Sequence, residues 1–310
     1  MEKTTQTTIA IQDGQWLLNG ALTYPGTPAQ GLLMNVRMVN STFEDRNKTG
    51  WDPQENTRLF IQTIPDYAAQ GVRAFTLNLQ GGMPGYEGAV NSAFNPDGSL
   101  RQDYMNRMKK VIEACNRFGC AVILGCFYQR QDQILRDEDA VRRALVNAVQ
   151  WIQKQGFKNI VLEIANEFNH GGFDHAVLKS PRGQVELIRL AQQTAPELLV
   201  STSGLGDGKM PGSVAEAADF ILIHFNGTPV DKIPERIGVL KKFGKPIVCN
   251  EDDKIGEQAA QAMEASVHNG ASWGYMNKEV NQYRPFEFQG PQDDPILYGR
   301  LKKITSMEEI

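Results

Sequence analysis

One alternation, repeated eight times, constrains this chain more than anything else in it. A short, almost unbroken apolar run is followed by a longer amphipathic stretch. The runs are 32–38, 72–79, 120–128, 160–165, 198–202, 220–225, 246–249 and 271–276. A strand with one face in water alternates polar and apolar residues, whereas a strand covered on both faces does not. The runs therefore predict strands of a parallel sheet with helices packed over it. The stretches between them carry the helical period. Val141, Ala144, Leu145, Ala148, Val149 and Ile152 fall on one face of such a helix. Asp137, Glu138 and Asp139 suit the start of its dipole, and Gly156 suits the position just past its end. Ser99 and Gln102 have the spacing of a capping box ahead of Met105, Met108, Ile112 and Cys115, with Gly119 as the stop. Further helices are predicted over 56–69 and 257–267, and Pro65 is expected to kink or break the first.

Eight such alternations predict an α/β fold, a (β/α)8 TIM barrel. A doubly wound sheet usually has fewer strands and a Gly-rich first turn, and no GxGxxG or phosphate-binding loop is present. At 310 residues the length would suit two domains of ~150 residues. Barrels of this class routinely reach ~250 residues as one unit, so we read 1–310 as a single catalytic domain. Asp13-Gly14 between apolar stretches is a hairpin signal, which predicts a β-ribbon within residues 1–30, packed on the barrel.

Composition narrows the partners. The chain has 32 basic and 36 acidic residues, a net charge of −4, and so lacks the basic footprint that nucleic acid requires. No apolar run approaches the ~18 residues of a membrane span. Residues 1–8 are polar and carry no leader core, so the expected location is the cytoplasm, or the periplasm or exterior where a leader has been removed. Cys115, Cys120, Cys126 and Cys249 show neither CxxC nor zinc spacing and read as small buried hydrophobes.

In this fold the active site lies at the C-terminal ends of the strands. The polar residues there are Arg37 and Asn40, Asn78 and Gln80, Tyr128 and Gln129, Asn166 and Glu167, Ser201 and Ser203, His224 and Asn226, residues 250–253, and Tyr275 and Asn277. Two glutamates stand out. Glu167 follows the fourth run and Glu251 the seventh, so their carboxylates should face each other across the barrel mouth. A pair of carboxylates ~5–5.5 Å apart cleaves a glycosidic bond with retention, one as nucleophile and the other as acid and then base. Asn166 would supply an amide to the sugar 2-hydroxyl, and Asn78, Tyr128, Gln129, Gln131 and Asn226 offer further hydrogen bonds. Aromatic rings stack on the C–H faces of sugars. Of Trp51, Tyr86, Phe168, Phe173, Trp273, Tyr275 and Tyr283, we expect Trp273 and Tyr275 to form the platform. Asp252 and Asp253 have no accompanying His/carboxylate ligand spacing, so no metal is predicted.

These residues resemble a known family. Ile-Ala-Asn-Glu ending the fourth run and Ile-Val-Cys-Asn-Glu ending the seventh are similar to the strand ends of clan A glycoside hydrolases, the family 5 cellulase and mannanase type. The resemblance implies Glu167 as acid/base, Glu251 as nucleophile, His224 at the sugar, and no cofactor. The opening Gly-Gln-Trp-Leu-Leu-Asn-Gly resembles the leading ribbon of such enzymes. The sequence also departs from the pattern. Thr76 and Asn78 stand where the family carries an arginine. Phe127, Tyr128 and Gln129 stand where it carries a histidine. His224-Phe225-Asn226 replaces His-x-Tyr. Arg37 is the candidate to take over the arginine's role and orient Glu251. The expected activity is retaining hydrolysis of a β-glycoside, oligosaccharide or polysaccharide, with no oligomeric state implied. The alternative is a carbohydrate-binding barrel without turnover.

Overall fold

The computed structural model describes residues 6–47, 50, 52–81, 88–283 and 288–307. The chain opens with three short strands, β1 (Ile9–Gln12), β2 (Gln15–Leu18) and β3 (Ala21–Leu22), in one antiparallel sheet. Asp13 and Gly14 link β1 to β2 with φ of 51° and 74°, the pair of positive values that a two-residue hairpin turn needs.

Eight parallel strands among the described residues follow. They are β4 (Asn35–Arg37), β5 (Ala74–Asn78), β6 (Ala121–Phe127), β7 (Ile160–Ala165), β8 (Val200–Ser201), β9 (Ile221–His224), β10 (Ile247–Glu251) and β11 (Gly274–Tyr275). They pair in the order β11-β4-β5-β6-β7-β8 and β10-β9. Single bridges, Ser203 to Leu222 and Val248 to Ser272, join the two sheets into a closed (β/α)8 barrel. The helices around it are α1 (Pro53–Ala69), α2 (Gln102–Arg117), α3 (Glu138–Gln155), α4 (Ala176–Lys179), α5 (Pro181–Thr194), α6 (Gly212–Ala217), α7 (Ile233–Leu240), α8 (Gly256–His268) and α9 (Pro295–Thr305).

Strand parity sorts the side chains into two cores. Leu33, Ala74, Ala121, Ile123, Val161, Phe220, Leu222 and Val248 point into the barrel, while the alternate residues meet the helices. Trp16 of β2 joins the inner group, fully buried, and meets Phe220 edge-on at 5.3 Å. The ribbon thus plugs the end of the barrel where the strands begin. The four cysteines are buried and unpaired. Among the described residues, no helix is long and apolar enough to cross a membrane.

Local chemistry sets the helix ends. Asp137 caps α3 by accepting from the Ala140 amide at 2.6 Å, and Gly156 closes that helix at φ 72°. Gly119, with φ 68°, follows the end of α2. Two expectations need correction. Pro65 does not break helix α1, because a proline removes one backbone bond while Phe60, Ile64 and Tyr67 keep that face buried. The Ser99–Gln102 capping box does not form. Helix α2 begins at Gln102 itself, so this residue cannot be the third of the first turn, and the Ser99 hydroxyl donates to Asp97 at 2.7 Å.

Candidate active site

Two backbone irregularities shape the mouth of the barrel. Strands β9 and β10 lose register near their ends: Cys249 pairs with Ile223, but Glu251 pairs with His224. Asn250 is therefore a bulged extra residue, and the bulge lets Asn250 and Glu251 both turn inward. Beyond β7 the chain adopts left-handed φ at Glu167, 51°. A non-glycine there costs roughly 1–3 kcal/mol and persists only where its surroundings hold it. Ser203 Oγ accepts the Glu167 N–H at 3.0 Å, which is part of that hold.

The two glutamates meet across the mouth. Nε of Arg37 lies 3.0 Å from Oε2 of Glu251, and Nδ2 of Asn226 donates to its Oε1 at 2.6 Å. Nδ1 of His224 sits between the carboxylates, 3.3 Å from Glu167 and 3.6 Å from Glu251. One side-chain atom from each of Glu167, His224 and Glu251 falls within 4.8 Å of the others. Arg37 and His224 are fully buried, and the Glu251 side chain is 6% exposed against 14% for Glu167. Burial pushes the Glu251 carboxyl up, but Arg37, His224 and the Asn226 amide outweigh it and hold the group below its usual range. Burial pulls the His224 imidazole down, and the surrounding carboxylates Glu251, Glu167 and Glu163 leave it raised. By donor type, Glu167, His224 and Glu251 could ligate a cation. The Arg37 guanidinium against Glu251 opposes one there.

Around this centre the side chains are tied to one another. Nη2 of Arg37 donates to Oδ1 of Asn166 at 2.8 Å, and Nδ2 of Asn166 donates to Gln129 at 3.1 Å. The Tyr128 ring lies 5.8 Å from the Arg37 guanidinium carbon. Gly81, at φ 99°, leaves room for that ring, since a Cβ there would lie 2.3 Å from Tyr128. Asn78 is 1% exposed, and neither of its amide atoms has a partner among the described residues. Asn40 donates to the Val280 carbonyl at 2.8 Å and Arg37 to Gln282 at 3.3 Å, so the segment after β11 packs onto the mouth.

Several expected site residues lie elsewhere. Gly274 faces Asn35 inside the barrel, where a Cβ would lie 2.1 Å from Oδ1, so Trp273 and Tyr275 on either side point outward. Trp273 donates to Asp252 at 2.9 Å and Tyr275 to Asp294 at 2.9 Å, and both rings are buried against the helices. They form no platform at the mouth. Phe168 and Phe173 are likewise buried in the outer core. Gln131 is spent on the loop after β5, bonding the Asn91 amide and the Ala89 carbonyl. Trp51, Tyr86 and the side chain of Tyr283 lie outside the described residues. Two residues went unread in the sequence. Gln282 arrives from a long loop. Glu163 sits inside an apolar run, where only its charge marks it out.

No family model matches the chain, and no curated protein does. Solved structures do. A candidate glycoside hydrolase from Bacteroides vulgatus is 13% identical with a TM-score of 0.67; the match covers 97% of this chain and 61% of that longer one. A family 5 mannosidase from Rhizomucor miehei is 12% identical with a TM-score of 0.63, covering 98% of both. The family 5 enzyme PbGH5A from Prevotella bryantii, a mutant in complex with a xyloglucan tetradecasaccharide, is 10% identical with a TM-score of 0.59, covering 92% of this chain and 99% of that one. At this identity the likeness is one of fold. The chain is built as the family 5 glycoside hydrolase barrels are.

Proposed function

We propose that this protein is a retaining glycosidase acting on a β-linked carbohydrate, with Glu251 as nucleophile and Glu167 as acid/base. The observation that carries the reading is the approach of the two carboxylates across the mouth, with one oxygen of each inside the 4.8 Å cluster around His224. Nearest oxygens that close are compatible with the ~5–5.5 Å carboxyl spacing usual for direct attack. The built resemblance to family 5 barrels, one of which holds a xyloglucan oligosaccharide, supports a carbohydrate ligand.

Each residue then has a task. Arg37 and Asn226 keep Glu251 ionised and aimed. Glu251 attacks the anomeric carbon while Glu167 gives its proton to the leaving oxygen, forming a glycosyl ester. Glu167 next takes a proton from water, whose oxygen attacks the same carbon and releases the Glu251 carboxylate. Two inversions give net retention. Asn166 is held by Arg37 and Gln129 and keeps one amide hydrogen for the sugar. Asn78 brings a buried amide with no partner for either atom among the described residues.

The test is kinetic. Glu251→Ala should abolish turnover of an aryl β-glycoside, and azide should restore it with an inverted glycosyl azide as product. Full activity in the variant would sink the assignment. Oligosaccharide binding by the wild type with no product would favour a binding barrel without turnover.

A further inference from the structure

Glu163 of β7 faces the barrel interior with Val161, fully buried, four residues before Glu167. Ser203 Oγ donates to its Oε1 at 2.5 Å, and Nδ2 of Asn250 donates to its Oε2 at 3.2 Å. Both partners lead to the catalytic pair. Ser203 Oγ also accepts the backbone N–H of Glu167 at 3.0 Å, fixing the strained turn that presents that carboxylate. Asn250 is the bulged residue immediately before Glu251. One carboxylate, with one oxygen on each arm, is therefore tied to the hydroxyl that holds the Glu167 backbone and to the side chain of the residue before Glu251.

A core reading alone does not account for this group. An ion in a dry interior costs several kcal/mol after relaxation, and an apolar side chain of similar size would fill the same space. What an apolar residue could not do is accept from Ser203 and Asn250 at once. We propose that Glu163 is a positioning residue for the glycosidic reaction, one that fixes the spacing of Glu167 and Glu251 through Ser203 and Asn250 and adds negative charge to the surroundings of His224. The assignment rests on the proposed function of that site. The charged groups that act on Glu163 are His224 from β9, Arg37 from β4 and Glu251 from β10. Burial raises its carboxyl, and His224, Arg37 and the Ser203 hydroxyl pull it back without cancelling the rise.

Glu163→Gln keeps the shape, removes the charge and leaves one acceptor oxygen in place of two. The variant should lose kcat by about 10- to 100-fold with KM held within about twofold, as expected when reacting groups are misplaced but the sugar still binds. The His224 imidazole, followed by NMR, should titrate lower than in the wild type, because the charge of Glu163 that helps to raise it is gone. Ser203→Ala cuts only the arm to Glu167, and should lower kcat with KM and the His224 titration held. A folded Glu163→Gln protein with wild-type kcat and unchanged His224 titration overturns the proposal. Should that variant fail to fold, Ser203→Ala decides, since wild-type kcat there overturns it equally. The His224 titration needs no turnover, so a wild type inactive on every glycoside would defeat the glycosidase reading while leaving the coupling of Glu163 to His224 separately measured.

Discussion

Asn78 is the site residue whose burial is hardest to explain by stability. Its amide is buried in the barrel with neither atom bonded to any described residue, and a buried hydrogen bond left unmade costs about 1–3 kcal/mol. A site that awaits a hydroxyl tolerates that cost and recovers it on binding. Asn78→Ala should therefore leave the melting temperature unchanged or raised, while kcat/KM on a glycoside falls about tenfold, close to 1.4 kcal/mol. A melting temperature several degrees lower would make Asn78 a structural residue instead. The residues that cluster at the mouth were legible for a simple reason. Arg37, Asn166, Glu167, His224 and Glu251 each end an apolar run or stand just beyond one, and strand ends converge in a barrel. Glu163 was hidden because it lies within a run, where a single charge reads as an exception. Trp273 and Tyr275 misled because a run ending in aromatics does not reveal which face they take, which here is set by Gly274 against Asn35.

At the scale of elements, the alternation of runs and amphipathic stretches located every barrel strand and, with their bounds, four of the nine described helices, since burial on two faces leaves its mark in composition. It could not locate the bulge at Asn250, which depends on pairing with β9 rather than on any residue of β10 alone. Nor could it weigh Pro65 against the buried face that carries α1 through it. The ribbon was legible from Asp13-Gly14, but its job was not: Trp16 fills the barrel end opposite the mouth. Trp16→Ala should cost about 3–5 kcal/mol in urea unfolding, the range for deleting a large buried ring. Because the plug lies at the other end of the strands from Glu167 and Glu251, kcat per folded molecule should stay at the wild-type level. A loss of under about 1 kcal/mol would mean that the ribbon lies on the barrel without sealing it.

At the scale of the molecule, the ring is held closed where its last helix returns to its first. Asp294 accepts from the Tyr275 hydroxyl at 2.9 Å and the Gly256 amide at 2.7 Å, and caps α9 at Leu297 with 3.1 Å. Asp293 accepts from the Tyr67 hydroxyl of α1 at 3.3 Å, and Tyr298 of α9 packs 5.4 Å from the Tyr67 ring. Burial pushes the Asp293 carboxyl from an ordinary 3.8 up to about 7, opposed by the Tyr67 hydroxyl and aided by the charge of Asp294. A folded-state value above the unfolded one means that the group's contribution is whole below 3.8 and is lost as pH rises through about 7. Glu251, held low, acts with the opposite sign: its contribution is present above its ordinary 4.5 and is lost as pH falls through its lower folded value. Replacing Asp293 with asparagine, which mimics the protonated acid, should remove the first of these slopes and leave the second. Urea unfolding at about pH 8 should find Asp293→Asn more stable than the wild type, and at about pH 4 the difference should have nearly closed. An equal difference at both pH values would mean that Asp293 does not titrate between them, and that the seam between α1 and α9 is held by shape and hydrogen bonding rather than by charge.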